Sequence, residues 1–226
     1  MQSSSGSKKK KIWLSPSGLS LLSRCPRCFW LQYRRGIRQP EGIQSRLANR
    51  FDGVIKAYFD TYRGGDVLPP LVAGQVEGKL EHPFQETYFY HHDDDYGLMG
   101  KLDECLVRAD GTFTPVDHKT ASSDPRTRDL LPAYQTQLDI YAFLLGSNRK
   151  KPSGIGHLIY FYPADGADLH EGFQMEVIVK TLDTSTDAAH EKFMEGVAAL
   201  EGEMPFAADN CPFCLWYDAM TALLEK

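Results

Sequence analysis

Two Cys-x-x-Cys pairs stand near opposite ends of this 226-residue chain. Cys25 and Cys28 form the first pair and Cys211 and Cys214 the second, and 183 positions separate Cys28 from Cys211. Two such pairs supply the four thiolates of a tetrahedral zinc site or an iron–sulfur cluster. Disulfides or merely buried thiols are the alternatives, but a duplicated Cys-Pro-x-Cys favours a metal. Such a site would hold both ends of the fold together, whereas the fifth cysteine, Cys105, is expected to pack in a strand.

The net charge of −5 conceals an asymmetry. Residues 1–50 carry eleven Lys or Arg against one acid, Glu41. A basic N-terminal portion followed by an acidic remainder suits a protein that contacts a polyanion and uses carboxylates for another purpose. Residues 1–11 are interpreted as a basic flexible tail, for whose lysines a purely solubilising role is the alternative.

Composition excludes several classes of protein. With 42% hydrophobic and 24% charged residues, the chain has the composition of a folded domain, which excludes disordered and collagen-like chains. No stretch approaches the roughly 18 consecutive apolar residues of a membrane span, and the first residues lack the apolar run of a secretion signal. We therefore expect a cytoplasmic protein without a membrane partner, with a single domain over residues 12–226.

Hydrophobic periodicity predicts an α/β fold in which a mixed β-sheet is flanked by helices. Helices are predicted after Ser15, over 45–63, 130–145 and 184–200, and after Cys214. Strands are predicted over 84–90, 96–107, 112–118, 155–162 and 173–181. The Asp-Gly turn at 109–111 makes the second and third strands antiparallel neighbours.

Two acidic residues lie on these neighbouring strands. The second strand contains Asp103, and the third contains Asp117-His118-Lys119. Since residues i and i+2 share a face, Asp117 and Lys119 point the same way and His118 can offer only its backbone carbonyl. Close carboxylates require a cation, and Mg²⁺ or Mn²⁺ suits oxygen donors while leaving positions for water and phosphate. The alternative is a solvated Asp117–Lys119 ion pair with Asp103 at the surface.

A helical motif, Tyr134-x-x-Gln137-x-x-x-Tyr141, follows the third strand. Gln137 and Tyr141, four residues apart, share a helix face. The order Gly-x-x-Asp, Asp-x-Lys-Thr and Tyr-x-x-Gln-x-x-x-Tyr resembles the RecB-like branch of the PD-(D/E)XK nuclease superfamily. With its cysteines, the chain from about residue 15 to 218 is most similar to the iron–sulfur exonucleases of that branch, the CRISPR-associated RecB-like exonucleases and the AddB-type nuclease domain.

The resemblance implies a restriction-endonuclease-like core and a phosphodiesterase that uses Mg²⁺ or Mn²⁺. It implies that Lys119 is catalytic and that Gln137 with Tyr141 orients this lysine and contacts DNA phosphate. The catalytic residues implied in this way are Asp103, Asp117, Lys119, Gln137 and Tyr141.

The metal ligands implied by the resemblance include one departure from the family. The family usually has a histidine ligand on the helix before the sheet, where this chain has Asp52. An aspartate binds Mg²⁺ or Mn²⁺ readily, although an ion pair with Lys56 is the alternative. The ligands implied are Asp52, Asp103, Asp117 and the carbonyl of His118.

The cysteine pattern is a second departure, because the family usually divides its cysteines one and three whereas this chain divides them two and two. A 4Fe–4S cluster is expected at Cys25, Cys28, Cys211 and Cys214, with Zn²⁺ as the rival occupant. The resulting hypothesis is a DNA exonuclease, acting on single-stranded or frayed ends in DNA repair or CRISPR spacer acquisition, with partner proteins in those complexes. The alternatives are a catalytically inactive, cluster-bearing DNA-binding subunit of such a complex and a zinc-stabilised scaffold.

Overall fold

The computed structural model describes residues 10–40, 46–166, 172 and 174–224. Most of the basic tail expected at 1–11 therefore lies outside the described residues. The strands are β1 (Ile12–Leu14), β2 (Lys79–Leu80), β3 (Thr87–His91), β4 (Tyr96–Lys101), β5 (Glu104–Val107), β6 (Phe113–Thr120), β7 (Ile155–Pro163) and β8 (Met175–Asp183). The helices are α1 (Pro16–Arg24), α2 (Pro26–Trp30), α3 (Arg46–Asp60), α4 (Pro132–Ser147), α5 (Thr186–Glu201) and α6 (Pro212–Leu224), and Leu31–Arg35 forms a π-helical turn.

The chain divides into two compact units. The first takes the described residues of 1–39, 89–99 and 192–226, and the second takes those of 40–88 and 100–191. The paired cysteines all belong to the first unit, and the carboxylate and lysine motif belongs to the second. Among the described residues, no helix combines the length and apolar character that crossing a membrane requires.

In the first unit, the chain enters α1 through the N-cap that the sequence predicts. The Ser15 hydroxyl accepts a hydrogen bond from the Gly18 amide at 3.2 Å, and Pro16 occupies the first helical turn, where its missing N–H costs nothing. Strand β1 pairs in parallel with β4, and Trp13 lies opposite Gly97. A Cβ at Gly97 would come within 2.4 Å of the Trp13 ring, so this pairing requires glycine.

The second unit contains a five-stranded sheet with the order β2-β5-β6-β7-β8. Strands β6 and β7 are parallel and the other neighbours are antiparallel, so the sheet is mixed, as predicted. The prediction of a single strand over residues 96–107 was wrong. These residues form two strands, β4 and β5, which belong to different sheets. The break falls at Leu102, whose amide donates to the Glu86 carbonyl at 2.8 Å.

Helices α3 and α4 flank this sheet on opposite faces, as the alternation along β6 shows. Val116 joins a hydrophobic core with Ile55 and Phe59 of α3. Asp117, one residue further, points to α4, where its carboxylate meets Gln137. Asp117 and Lys119 of β6 therefore face Gln137 of α4. Cys105 of β5 is fully buried and packs, as expected.

Candidate active site and cysteine site

Asp103 lies in the bend between β4 and β5, and both of its carboxylate oxygens have partners. Oδ2 accepts a hydrogen bond from the backbone amide of His118 at 2.9 Å. Oδ1 lies 2.9 Å from the Lys56 ammonium. Because the strand breaks immediately before Asp103, its side chain is free to turn towards β6 and is held there by a backbone donor. A charge-assisted bond of this kind fixes the carboxylate firmly.

Asp117 is buried in the middle of β6, with 3% of its side chain exposed. Oδ1 accepts a hydrogen bond from Gln137 Nε2 at 2.6 Å, and Oδ2 lies 2.5 Å from Lys119 Nζ. The contact with Lys119 is an ion pair without hydrogen-bond geometry, so the buried Oδ2 has no hydrogen-bond partner. Burial raises the pKa of Asp117 to about 6, opposed by the charge of Lys119 and reinforced by that of Asp103.

Lys119 is fixed on three sides. Its ammonium contacts Asp117, donates to Gln137 Oε1 at 2.9 Å and lies 4.3 Å from the centroid of the Tyr134 ring. The ring face of an aromatic residue attracts a cation, so Tyr134 adds a third attachment. The sequence placed Tyr134 in the helical motif without a role for it. The position of Tyr134 one turn before Gln137 was the sequence signal that both side chains could contact Lys119.

Gln137 connects the carboxylate, the lysine and the tyrosine of the motif. Its Nε2 donates to Asp117 and to the Tyr141 hydroxyl, the second at 2.7 Å. The Tyr141 hydroxyl in turn donates to the Lys101 carbonyl at 2.7 Å. Burial, followed by the charge of Asp117, raises the pKa of Tyr141, so it remains a neutral donor. This series of hydrogen bonds orients the amide of Gln137, with its oxygen towards Lys119.

Gly100 explains the glycine of the Gly-x-x-Asp motif. A Cβ at this position would lie 2.6 Å from Leu144 Cδ1 and 3.2 Å from Tyr141 Cε1, both on α4. A side chain here would push against the helix that carries Gln137. The glycine therefore allows β4 to approach α4 closely.

His118 points away from Asp117 and Lys119, as the alternation of a strand requires. Its ring lies between Phe59 and Phe161, at centroid distances of 4.7 Å and 5.7 Å. Both ring nitrogens are buried without a hydrogen-bond partner. Burial lowers the pKa of His118 to about 4, so the ring is neutral at physiological pH. Ligation through its backbone carbonyl stays a prediction.

Asp52 and Asp103 share one lysine. The Lys56 ammonium lies 3.1 Å from Asp52 Oδ2 and 2.9 Å from Asp103 Oδ1. Although burial opposes it, contact with the two carboxylates raises the pKa of Lys56. The pair with Asp52 is the alternative named in the sequence analysis, and metal ligation by Asp52 stays a prediction. The contact with Asp103 joins distant parts of the chain, and no sequence pattern signalled it.

The four paired cysteines lie together in the first unit, as their spacing predicts. Their Sγ atoms all lie within 4.8 Å of one another, and all four are buried. Cys25 and Cys28 lie 3.8 Å and 3.6 Å from Cys214, and none of the four forms a disulfide. Burial favours the neutral thiol of Cys25, but hydrogen bonds from the Ala208 and Cys28 backbone, together with those of the Cys28 and Cys211 thiols, lower its pKa to about 7. Four convergent buried sulfurs fit either a tetrahedral zinc ion or a 4Fe–4S cluster.

The second unit presents two aspartates, a lysine and a helical glutamine on a mixed sheet that helices flank. The model of the PD-(D/E)XK nuclease superfamily matches residues 66–219. The chain therefore belongs to the PD-(D/E)XK nuclease superfamily, whose members use divalent metals, and its fold is restriction-endonuclease-like.

Solved structures that are similar to the chain include the following two. The crystal structure of SSO0001 is 17% identical, with 88% of this chain and 81% of that chain covered and a TM-score of 0.43. An alkaline exonuclease (LHK-Exo) from Laribacter hongkongensis is 10% identical, with 93% of this chain and 94% of that chain covered and a TM-score of 0.46. No curated protein gives a significant match. The assignment to the superfamily rests on the family model.

Proposed function

We propose that the protein is a metal-dependent deoxyribonuclease, specifically an exonuclease acting on single-stranded or frayed DNA ends. The observation that carries the proposal is the hydrogen-bonded arrangement of Asp117, Lys119 and Gln137 beside Asp103. Gln137 contacts both the carboxylate and the ammonium, at 2.6 Å and 2.9 Å. A solvated surface ion pair, the alternative for Asp117 and Lys119, does not account for a carboxylate that is 97% buried or for the glutamine between them.

The proposed ligands of Mg²⁺ or Mn²⁺ are Asp103, Asp117 and the His118 carbonyl, with Asp52 as a further candidate. The donor set fits such an ion because it consists of oxygens, and Asp117 Oδ2 is buried without a hydrogen bond. When bound, the ion supplies Lewis-acid chemistry that polarises a phosphoryl oxygen and acidifies water.

The protein's own groups orient the reaction. Lys119 places a positive charge beside the carboxylates, where it can hold a water molecule and offset negative charge that develops on the phosphate. Tyr134 and Gln137 fix the ammonium, so little reorganisation is needed when substrate binds. Gln137 and Tyr141 hold this geometry through their hydrogen bonds, and their contact with DNA phosphate is part of the proposal.

DNA binding is proposed to involve arginines of the first unit. Arg24, Arg34 and Arg35 are exposed, and they belong to the helical segments on either side of Cys25 and Cys28. Exposed arginines attract phosphates whatever the base sequence. The buried cysteine site in this unit supports the finer proposal of a cluster-bearing enzyme of the CRISPR-associated RecB-like or AddB type, with a role in DNA repair or spacer acquisition.

The first experiment is incubation of the purified protein with end-labelled single-stranded DNA and Mn²⁺. The wild type is expected to shorten the DNA. Asp117→Ala and Lys119→Ala are expected to bind DNA without cutting it, whereas Lys79→Ala, whose exposed lysine pairs with Asp66, serves as the matched control and should cut normally. A wild type that binds but never cuts would instead indicate the inactive DNA-binding subunit.

The second experiment identifies the occupant of the cysteine site. Protein purified without air is expected to be brown and to absorb broadly near about 400 nm if it holds 4Fe–4S, because thiolate-to-iron charge transfer falls there. A colourless protein that contains one zinc per chain would indicate the zinc-stabilised scaffold instead.

A further inference from the structure

Lys56 occupies a central position among the candidate metal ligands. Its ammonium bridges Asp52 on its own helix and Asp103 in the bend before β5, at 3.1 Å and 2.9 Å. The side chain of Lys56 is 28% exposed and that of Asp103 only 16%. An ordinary helix pair four residues apart would leave the ammonium in solvent. Here the lysine reaches from α3 into the carboxylate site.

The charges of the candidate site leave little need for a second divalent ion. Asp52, Asp103 and Asp117 contribute three negative charges, and Lys56 and Lys119 contribute two positive ones. Each lysine contacts a different member of the Asp103 and Asp117 pair, at 2.9 Å and 2.5 Å. The net charge of these five groups is therefore one negative charge, and one bound divalent ion would make it positive. A second ion held by Asp52 and Asp103 would lie close to the Lys56 ammonium, which contacts both carboxylates and would repel it.

We propose that Lys56 is a built-in cation that takes the place of a second divalent ion between Asp52 and Asp103, so that the site binds one divalent ion. The inference rests on the proposed nuclease site and deepens it. Asp52 then acts as a positioning residue that holds Lys56, and it becomes a metal ligand only when that ammonium is removed. Asp103 stays a proposed ligand of that one ion, because each of its oxygens has a lone pair beyond the one that faces Lys56 or the His118 amide.

The test is a count of Mn²⁺ ions bound per chain, measured by electron paramagnetic resonance of the free ion during titration of the full-length protein without DNA. Mn²⁺ prefers oxygen donors, so the cysteine site does not contribute to the count. The wild type is expected to bind one ion. Lys56→Met, which removes the charge, should bind two, and Lys56→Arg, which keeps it, should bind one. The double variant Lys56→Met with Asp52→Asn should return to one.

Two results would overturn the proposal: a wild type that binds two ions, or a Lys56→Met variant that binds only one while retaining its circular dichroism spectrum. If Lys56→Met does not fold, Asp52→Asn alone decides. It is expected to bind one ion as the wild type does, and loss of that ion would make Asp52 its ligand and contradict the proposal. The count is independent of cleavage, so absence of nuclease activity would refute the proposed function while leaving this result intact.

Discussion

At the scale of single residues, Gln137 has three partners in the site, as many as Lys119 and one more than Asp117. It donates to Asp117 and Tyr141 through one nitrogen and accepts from Lys119 through its oxygen. Truncation to alanine leaves a buried carboxylate oxygen and a buried hydroxyl without this partner. The amide of Gln137 is therefore the group through which the positions of Asp117 and Lys119 depend on each other.

Gln137→Ala is expected to lower DNA cleavage by at least tenfold and to cost about 1–3 kcal/mol of folding stability, because buried partners are left unsatisfied. Cleavage rate with Mn²⁺ and thermal unfolding measure the two effects. Gln135→Ala is the matched control, since Gln135 lies on the same helix but donates to Asp139 and to the Asp183 carbonyl instead. Equal cleavage by both variants would show that Gln137 does not position the site.

His157 gives the folded protein a pH dependence with a definite sign. Burial lowers its pKa to about 4 in the folded state, below the ordinary value of 6.5. Between these values the unfolded chain binds the additional proton, so the free energy of unfolding falls as pH falls from about 6.5 to 4, by up to about 3 kcal/mol. Above pH 6.5 this contribution is constant.

Urea unfolding at several pH values tests this expectation by comparing the wild type with His157→Gln. His118 is shifted in the same direction, so the informative quantity is the difference between the two proteins. That difference is expected to shrink as pH falls from 6.5 to 4. Parallel stability curves for the two proteins would show that His157 keeps its ordinary pKa when folded.

At the scale of elements, the contact between β4 and α4 sets the place of the helical motif. Gly100→Ala would insert a methyl group against Leu144 and Tyr141, both buried. Such overpacking is expected to cost roughly 1–3 kcal/mol and to displace α4, so cleavage should fall together with the melting temperature. Gly53→Ala is the control: nothing lies within 4 Å of its Cβ, and in the interior of α3 alanine should stabilise slightly. Unchanged melting of Gly100→Ala would mean that α4 adapts without cost.

The same elements show which parts of the fold a sequence can predict. The amphipathic and alternating patterns placed the longer helices and strands, because those patterns are local. Strands β1 and β2, with three and two residues, are too short to produce a period. The break between β4 and β5 was missed although Gly100 and Asp103, residue types that are depleted in strands, lie beside it. The bond from the Leu102 amide to the Glu86 carbonyl at this break joins residues that are distant in sequence.

In the candidate active site, too, the sequence could predict some contacts and not others. Spacing alone indicated that Asp117 and Lys119 share a face and that Gln137 and Tyr141 share another, and the structure joins these two pairs. The contact of Lys56 with Asp103 could not be predicted, because it depends on how α3 lies against the sheet of the second unit. The cation–π contact of Tyr134 is an intermediate case. The spacing of Tyr134 from Gln137 could be read from the sequence, but its contact with Lys119 could not.

At the scale of the whole molecule, each candidate site is complete within one compact unit. The cysteine site draws on residues near both ends of the chain, 25–28 and 211–214, which closes a loop of more than 180 residues. The carboxylates, lysines and helical motif all lie within residues 52–141. Variants at the cysteines can therefore be assayed for bound metal and stability separately from variants at the carboxylates.

Cys214→Ser is expected to lower the metal content of the cysteine site and to reduce the melting temperature by roughly 10 °C, because a link that closes so long a loop stabilises the folded chain. Metal per chain is measured by inductively coupled plasma mass spectrometry, and unfolding by calorimetry. Cys105→Ser controls for the substitution itself: Cys105 is buried in the second unit and is not one of the four grouped cysteines, so the metal content should stay unchanged. If Cys214→Ser retained the full metal content and melting temperature, the four sulfurs would be a packed cluster of thiols and not a metal site.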